Sequence, residues 1–410
     1  MQDTSTFTFP ALLAEHSSVM EKTDDNGHLQ IYSYKSGIDI PDSCKTFRGL
    51  VFRGETPLFR SIGRTPEYSL QDTDTVKWAN DVNSLTFFPS YEGTLIRIFY
   101  DVTTEKWYTS THRKLDAFHS RWGSKISFGE IFEKALSHQQ QSIASLTSIL
   151  DKAHVYLFFI RSIAETRLVS IPSSTETVFH VGTLVNGNTF TTEINIPVTK
   201  PTPLTSDSNM IDYVRNFVAN SRPEEIQGVI AFYPDGRNFK IVNQHYSYLS
   251  QIRGNEASVM FRYLQIRGNA THSQLFYQMY PEHVGKFVQY ENSIFKIAKI
   301  VHASYVNRFI LKQHTIVSHE EHRIIRECHG WHIANRQTNK VTLQYVTSVL
   351  SKTEMASNVN ALIKRLTRTG TLAIVKKDVE VKDVKDVKDV KDVKDVGVST
   401  TTEDEDVNMS

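Results

Sequence analysis

Two hydrophobic patterns follow one another along this chain of 410 residues, and their order limits the folds that it can adopt. Between residues 47 and 252, short runs rich in β-branched and aromatic residues alternate with turn residues, which is typical of strands. After about residue 270, apolar residues recur at helical spacing over residues 272–288, 294–313, 318–333 and 341–367. The sequence therefore predicts an α+β protein in which strands come first and a helical part follows.

Turn and helix signals subdivide the strand-rich part. Pro234, Asp235 and Gly236 form a strong turn signal, which predicts a hairpin between strands at residues 229–233 and 239–242. Further strands are predicted at residues 49–52, 95–100, 107–110, 155–160 and 167–171. Helices are predicted over residues 128–150, 210–220 and 249–264, where apolar residues recur near helical spacing.

The changes of pattern predict four regions along the chain. These are an N-terminal segment over residues 1–40, a strand-rich domain over 41–265, a helical C-terminal domain over 266–370 and a tail over 371–410. In the tail the triplet Lys-Asp-Val repeats, and a period of three matches neither a helix nor a strand. Its composition predicts a disordered, solvated segment without a role beyond solubility, and docking to a partner is the alternative.

Charge and cysteine content limit the ligands and the cellular compartment that this protein can have. The net charge is +1, so attraction to a nucleic acid would have to come from a local basic patch. The two cysteines, Cys44 and Cys328, are too few for a secreted disulfide framework and favour a reducing compartment. No stretch approaches 18 uninterrupted apolar residues, and no signal peptide is recognisable. We therefore expect an intracellular protein without a membrane segment.

Four short signals occur in one order within the strand-rich part. They are FRGLVF at 47–52, SYEGTL at 90–95, LFFI at 157–160, and QGVI at 227–230 joined by the hairpin to FKIVN at 239–243. None of these signals is specific by itself, because an acid before a glycine is commonly part of a turn. Their order and spacing make the combination informative.

In this order and spacing the sequence resembles the covalent nucleotidyltransferases, in particular the RNA ligases of the bacteriophage tRNA-repair type. That family has an Arg-Gly strand, then Lys-x-Asp-Gly-Ser-Leu, a Phe-Glu strand, a Glu-Gly-Val-Val strand and a Lys-x-Lys strand. The segment RTPEYSL at 64–70 is also similar to the family's loop before its nucleophile. The resemblance spans about half of the chain and implies an antiparallel-sheet adenylation domain. A viral setting is a further expectation from it.

The resemblance implies a set of nucleotide-binding residues. In the family, the lysine attacks the α-phosphate of ATP, the acid before Gly contacts the ribose region, and the Phe stacks on adenine. The positions that keep the family's residue type are Arg48, Glu92 (in place of Asp), Gly93, Phe159 and Lys240. The alternative is that Phe159 is a core aromatic and that Arg48 and Lys240 make structural ion pairs.

Four catalytic positions of the family pattern are replaced here. Ser90 stands in place of the nucleophilic lysine, Ile160 in place of the Glu after Phe, Gln227 in place of the Glu before Gly, and Val242 in place of the second late lysine. A serine hydroxyl without a base is a poor nucleophile at neutral pH, so no catalytic residue is expected. If the resemblance is real, Ser90, Phe159, Gln227 and Lys240 should line one cleft.

Three hypotheses follow for the function. The first is a catalytically inactive RNA-ligase-like protein that binds a nucleotide or RNA or has a structural role. The second is an active ATP-dependent RNA ligase with an unconventional nucleophile, and only this hypothesis requires ATP and Mg²⁺. The third is a protein unrelated to ligases, with accidental motif matches.

Two weaker signals lie in the helical part. Six potential metal ligands occur close together, but the set lacks a second cysteine and the spacing of a zinc site, so no metal is expected; they are His314, His319, His322, Cys328, His329 and His332. Lys364, Arg365 and Arg368 form a basic helix end that could contact RNA phosphates. A solvated helix face is the alternative for these basic residues.

Overall fold

The computed structural model describes residues 16–35, 38, 44, 48–59, 61–72, 81–162, 168–171 and 175–372. Residues 1–15 of the predicted N-terminal segment, and the tail from residue 373 onward, lie outside the described residues.

The strands of the described residues form three sheets. In the first sheet the order is β1 (Met20–Asp25), β2 (Gln30–Tyr34), β3 (Arg48–Arg53), β4 (Thr56–Phe59). In the second it is β11 (Thr189–Thr191), β10 (Thr177–Val185), β9 (Val155–Arg161), β7 (Thr94–Asp101), β8 (Lys106–Ser110). In the third it is β5 (Glu67–Tyr68), β13 (Asn238–Val242), β12 (Gly228–Phe232), β6 (Thr86–Ser90). The strand pairs are antiparallel except for β5 and β13, which run parallel.

The central strand β9 is buried on both faces because a hydrophobic cluster covers each one. Tyr156, Phe158 and Ile160 belong to the cluster under helix α1 (Phe128–Ser137), whereas Val155 and Leu157 belong to a cluster shared with the first sheet. This burial explains why residues 155–160 form a continuous apolar run rather than an alternating one. The mixed architecture with antiparallel sheets agrees with the predicted α+β class.

The predicted hairpin is confirmed. Residues of β12 and β13 pair antiparallel from Gly228 opposite Val242 to Phe232 opposite Asn238. Gly236 in the connecting turn has a φ of +83°, a conformation that glycine adopts without a steric penalty.

Five element predictions were wrong in detail. The helices predicted over 272–288 and 341–367 each cover parts of two helices, which are separated at residues 280–283 and 351–355. The helix predicted over 128–150 is two helices, α1 and α2 (Ile143–Thr147), because Gln140 adopts a φ of +57° and Ser142 caps a new start. The helix predicted over 249–264 is also two, α4 (Gln244–Arg253) and α5 (Val259–Ile266), with Gly254 at a φ of +59° between them. The strand predicted at 167–171 is absent from its described residues, 168–171.

The remaining α-helices lie on one side of the third sheet and in the helical part of the chain. Helix α3 (Met210–Asn220) packs on the third sheet, and the later helices are α6 (Ala270–Met279), α7 (Val284–Tyr305), α8 (His319–Ala334), α9 (Leu343–Leu350) and α10 (Ala356–Thr369). One hydrophobic cluster contains residues of α7, α8, α9 and α10 together with Leu264 of α5. The helical run begins at α4, ahead of the predicted boundary between residues 265 and 266, and that boundary stays a prediction. No described helix has the length and hydropathy of a membrane span.

Candidate nucleotide-binding cleft

A cleft of about 480 Å³ lies beside the ends of β3, β7 and β9. Five of the residues that the sequence singled out contribute to its lining; they are Arg48, Glu92, Gly93, Ile160 and Gln227. The antiparallel pairing of β7 with β9 sets Thr94 opposite Ile160, which brings the start of one strand and the end of the other to this edge. The motifs that are distant in the sequence therefore meet at one place.

Arginines give the cleft a positive lining. Arg48, Arg113, Arg121 and Arg161 all contribute to it. Burial lowers the pKa of Arg48, and among the described residues its guanidinium makes no hydrogen bond or ion pair. Arg161 lies 4.0 Å from the ring centroid of Tyr91, a cation–π distance. Since Arg48 has no anion beside it among the described residues, an anionic ligand would find an unused donor there.

A fully buried arginine supports this lining from behind. Arg97 donates to the carbonyl oxygens of Gly49 and Thr111, each at 2.5 Å, and to Ser110 Oγ at 3.2 Å. Gly49 has a φ of +69°, and a Cβ there would lie 3.0 Å from Arg97 Nη1. Burial lowers the pKa of Arg97 to about 9, and burial also lowers the pKa of His112 on the cleft wall. No motif pointed to Arg97 in the sequence.

The carboxylate of Glu92 is fully engaged inside the protein. It accepts from the backbone N–H groups of Leu168 at 2.7 Å, Val169 at 2.7 Å and Ser170 at 2.9 Å. It also accepts from the hydroxyl of Tyr246 at 2.8 Å. These bonds occupy the amide groups of residues 168–170, and the Ile171 amide donates to the carbonyl of Glu224 at 2.7 Å, which explains why these residues form no strand. Contact of Glu92 with a nucleotide stays a prediction.

The loop over residues 168–170 is also held from the helical side. Tyr280 donates its hydroxyl to the carbonyl of Leu168 at 2.5 Å, and Arg253 Nε donates to that hydroxyl at 2.6 Å. Because Tyr246 lies on α4 and Tyr280 directly follows α6, the helices after residue 243 determine the shape of this wall. These three residues carried no signal in the sequence.

Ser90, Gln227 and Lys240 form one hydrogen-bonded group. Both Ser90 Oγ and Lys240 Nζ donate to Gln227 Oε1, at 3.0 Å and 2.7 Å. Gln227 Nε2 donates in turn to the hydroxyl of Tyr246 at 2.9 Å. Burial lowers the pKa of Lys240, although the Glu67 carboxylate at 3.7 Å acts in the opposite direction. Of this group only Gln227 belongs to the cleft lining described above.

The aromatic and aliphatic positions of the pattern have packing roles. Phe159 is half-buried and lies against Gly93, where a Cβ would come within 2.4 Å of the ring. Ile160 is buried in the cluster under α1 while also reaching the cleft, and Val242 is buried beside Tyr246. Phe159 is therefore next to the cleft wall rather than part of the lining.

The described cleft lining offers few charged side-chain oxygens to a divalent cation. Among the described residues no group of three or more His, Cys, Asp or Glu side chains is arranged to hold a metal ion. The carboxylate of the described cleft lining is that of Glu92, whose oxygens already accept four hydrogen bonds. Mg²⁺ needs oxygen ligands that are free to coordinate it.

Comparison with known proteins gives viral relatives. The chain is 32% identical over 222 residues to the immediate-early protein ICP-46 homolog of Invertebrate iridescent virus 3, covering 53% of this chain and 48% of the relative. It is 29% identical over 351 residues to the protein of the same name from Invertebrate iridescent virus 6, covering 77% of this chain and 76% of that relative. The chain thus matches about half the length of the first relative. No protein-family model matches it.

The structural neighbours are ATP-dependent RNA and DNA ligases. An archaeal ATP-dependent RNA ligase, for example, is 9% identical and covers 67% of this chain and 70% of its own, with a TM-score of 0.37. A TM-score at this level is too low to carry a functional conclusion.

Proposed function

We propose that this protein is a catalytically inactive, RNA-ligase-like protein whose cleft binds a nucleotide or the phosphate of an RNA end. The observation that carries the proposal is the lining of the cleft, which contains four arginines and, among the described residues, no lysine. Arginine recognises phosphate by planar, two-pronged hydrogen bonding, whereas the adenylation chemistry of the family requires an amine nucleophile.

Binding of phosphate is supported by the state of the charged groups. Arg48 is half-buried and unpaired among the described residues, so its donors gain from an incoming anion. The one carboxylate of the described lining, Glu92, already has four hydrogen-bond donors around it. Repulsion between Glu92 and a phosphate is therefore reduced, and the field of the arginines dominates.

Inactivity is supported by the surroundings of the replaced positions. Ser90 is 2% exposed and donates its hydroxyl to Gln227, an amide that cannot accept its proton as a base. Ile160 and Val242 lie in hydrophobic clusters, so neither position supplies a charge that could stabilise the transition state of adenylyl transfer.

A second candidate function rests on Lys240. Its amine and the Ser90 hydroxyl share one acceptor, so the amine lies beside the position that the family's nucleophile would occupy. Burial lowers the pKa of Lys240, which increases the neutral fraction of the amine. In this alternative the neutral Lys240 Nζ attacks the α-phosphorus of ATP, a P–N bond forms, pyrophosphate leaves, and the amine releases a proton to solvent.

A viral setting is part of the proposal. It is supported by the two relatives, both of which are proteins of invertebrate iridescent viruses.

Binding is tested by titrating a fluorescent AMP analogue, with unlabelled 5′-phosphorylated and 5′-hydroxyl trinucleotides as competitors. We expect Arg48→Ala to weaken binding by about tenfold or more, because a charge-assisted bond to phosphate is lost. Lys106→Ala removes one charge from an exposed strand position and serves as the control. Equal affinity of Arg48→Ala and the unmodified protein would contradict the proposed cleft.

The two candidate functions are separated by incubation with α-labelled ATP and Mg²⁺ or Mn²⁺. We expect no covalent label on the unmodified protein. A label that disappears in Lys240→Met would establish the second candidate, and a label that persists in Lys240→Met would contradict both assignments.

A further inference from the structure

Helix α8 presents two chemically different faces. Glu321, Ile324, Ile325 and Cys328 are buried on one face, three of them in the cluster shared with α7, α9 and α10. The other face carries polar residues and one glycine three or four positions apart, which places them along one stripe. This stripe, termed the α8 face, consists of His319, His322, Arg323, Arg326 and Gly330, and Trp331 follows it at the edge of the same face.

The α8 face lines a cleft of about 750 Å³ in the helical part of the protein. Lys352, after α9, contributes a further cation to the lining and pairs with Glu327 at 2.6 Å. Arg323 donates to the side chain of Asn358 at 3.2 Å, while Arg326 makes no hydrogen bond or ion pair among the described residues. Of the two arginines of this cleft, Arg326 is therefore free among the described residues, and Arg323 is held by a neutral partner only.

A stacked aromatic pair lies in the same cleft. The ring centroids of Trp331 and Tyr345 are 3.6 Å apart with an interplanar angle of 15°. Both rings are half-buried and both contribute to the lining. An aromatic platform beside cations is the combination that binds an unpaired base and its phosphates.

Gly330 leaves space in the same stripe. It is exposed inside a 16-residue helix, and a Cβ built there would have no atom within 4 Å. Glycine destabilises a helix interior relative to alanine, and the packing of the described residues does not require glycine here. The missing side chain instead allows a ligand backbone to approach the helix closely.

We propose that this cleft binds single-stranded nucleic acid, with phosphates on Arg323 and Arg326 and a base against the Trp331–Tyr345 pair. The aromatic pair favours this ligand over an acidic peptide, which would use the cations but not the ring faces. The site is separate in its residues from the cleft of the proposed function, so it would stand if that function failed.

The first test uses fluorescence anisotropy with a labelled, 5′-hydroxyl, 12-nucleotide oligo-uridine RNA and the full chain. We expect Arg323→Ala/Arg326→Ala to weaken binding about tenfold or more and to reduce the salt slope by about 1.4, at roughly 0.7 per phosphate contact. Lys286→Ala/Lys296→Ala removes two exposed charges of α7 outside this lining and should leave the affinity unchanged. Unchanged binding by the arginine pair variant would overturn the proposal.

The second test addresses the Trp331 ring and the open space at Gly330. Stacking of a base should quench the fluorescence of Trp331, so Trp331→Phe should keep most of the affinity and lose the quenching. Gly330→Leu should fold normally, because its side chain enters open space, and should bind at least about tenfold more weakly because that space is filled. Full affinity of Gly330→Leu would overturn the close approach of the ligand.

The third test separates this site from the cleft at the sheet edge and from a general polyanion surface. Arg48→Ala should keep its affinity for the oligonucleotide, while Arg323→Ala/Arg326→Ala should keep its affinity for the AMP analogue. A poly-glutamate peptide should compete only weakly with the RNA. Competition as strong as that of unlabelled RNA would show that any polyanion binds, and would overturn the assignment to nucleic acid.

Discussion

The two clefts of this molecule hold their cations in opposite ways. At the edge of the sheets, Arg48 is half-buried, and the fully buried Arg97 holds the backbone next to it through the carbonyl of Gly49. On α8, Arg323 and Arg326 are exposed. A partly buried cation interacts more strongly with one group placed beside it, whereas the attraction of exposed cations is weakened by water and is screened by salt. The difference predicts one selective site and one site that tolerates many sequences.

The largest expected effect concerns how far the fold depends on each cleft. Glu92→Ala removes the acceptor of three backbone N–H groups and of Tyr246. We expect it to lower the free energy of unfolding by about 4 kcal/mol, at roughly 1 kcal/mol for each donor left without a partner. Glu354→Ala, at an exposed position in the cleft beside α8, is the matched control and should change stability little. Urea unfolding of both variants measures their free energies of unfolding. Equal values would contradict the predicted difference between the two clefts.

The next effect is a pH dependence that originates in the sheet region. Burial lowers the pKa of His180 to about 4 from an ordinary value of 6.5. Between these values the unfolded chain binds a proton that the folded protein does not, so stability is complete above pH 6.5 and is lost as the pH falls toward 4. The loss should reach about 3 kcal/mol at about pH 4.

The measurement is thermal or urea unfolding at several pH values between about 4 and about 7, the range in which the two states bind protons differently. His180→Gln removes the titrating group and should flatten the curve, although His112, whose pKa burial also lowers, leaves part of the slope. An identical slope in both proteins would mean that His180 is not the source.

A smaller effect compares one glycine from each cleft. Gly93→Ala places a Cβ 2.3 Å from the carbonyl oxygen of Ile160, so it should destabilise the protein by about 1–3 kcal/mol. Gly330→Ala places a Cβ in open space inside a helix and should stabilise the protein by about 0.5–1 kcal/mol. Melting temperatures should therefore move in opposite directions, and a shared direction would contradict the different roles assigned to these residues.

The last prediction is that a lysine at position 90 produces no detectable adenylation. Ser90→Lys restores the family's residue at the nucleophile position, but Ile160, Gln227 and Val242 remain. We expect no covalent labelling by α-labelled ATP, because the groups that activate and stabilise the reaction are still missing. Strong labelling would mean that the assignments of those three positions are wrong. Ser90→Ala provides the background for this assay.

Local signals in the sequence predicted much of the framework. The hairpin at Pro234 to Gly236 and the helical run after residue 270 depend on neighbouring residues, and the structure contains both. The break at Gly254 had a local signal as well, since glycine commonly ends a helix. The motif order predicted that Ser90, Phe159, Gln227 and Lys240 line one cleft. Ser90, Gln227 and Lys240 share hydrogen bonds, but of the four residues only Gln227 belongs to the described cleft lining.

Other features depend on contacts between distant parts of the chain. The roles of Arg97, Tyr246 and Tyr280 follow from partners far away along the chain, so no local pattern indicates them. The α8 face is different, because its spacing of three and four residues is present in the sequence. The histidines of this segment suggest metal ligands first, and the basic and aromatic stripe among them is less apparent.

The packing around Val242 limits which residues this position can hold. Its side chain is 8% exposed and lies in a cluster with Val169 and Tyr246, two residues that also shape the wall around Glu92. A variant with lysine there would have to place an ammonium group among apolar neighbours, where no anion of that cluster compensates its charge. The apolar packing at this position therefore opposes the very residue that the ligase pattern calls for, independently of the other replaced positions.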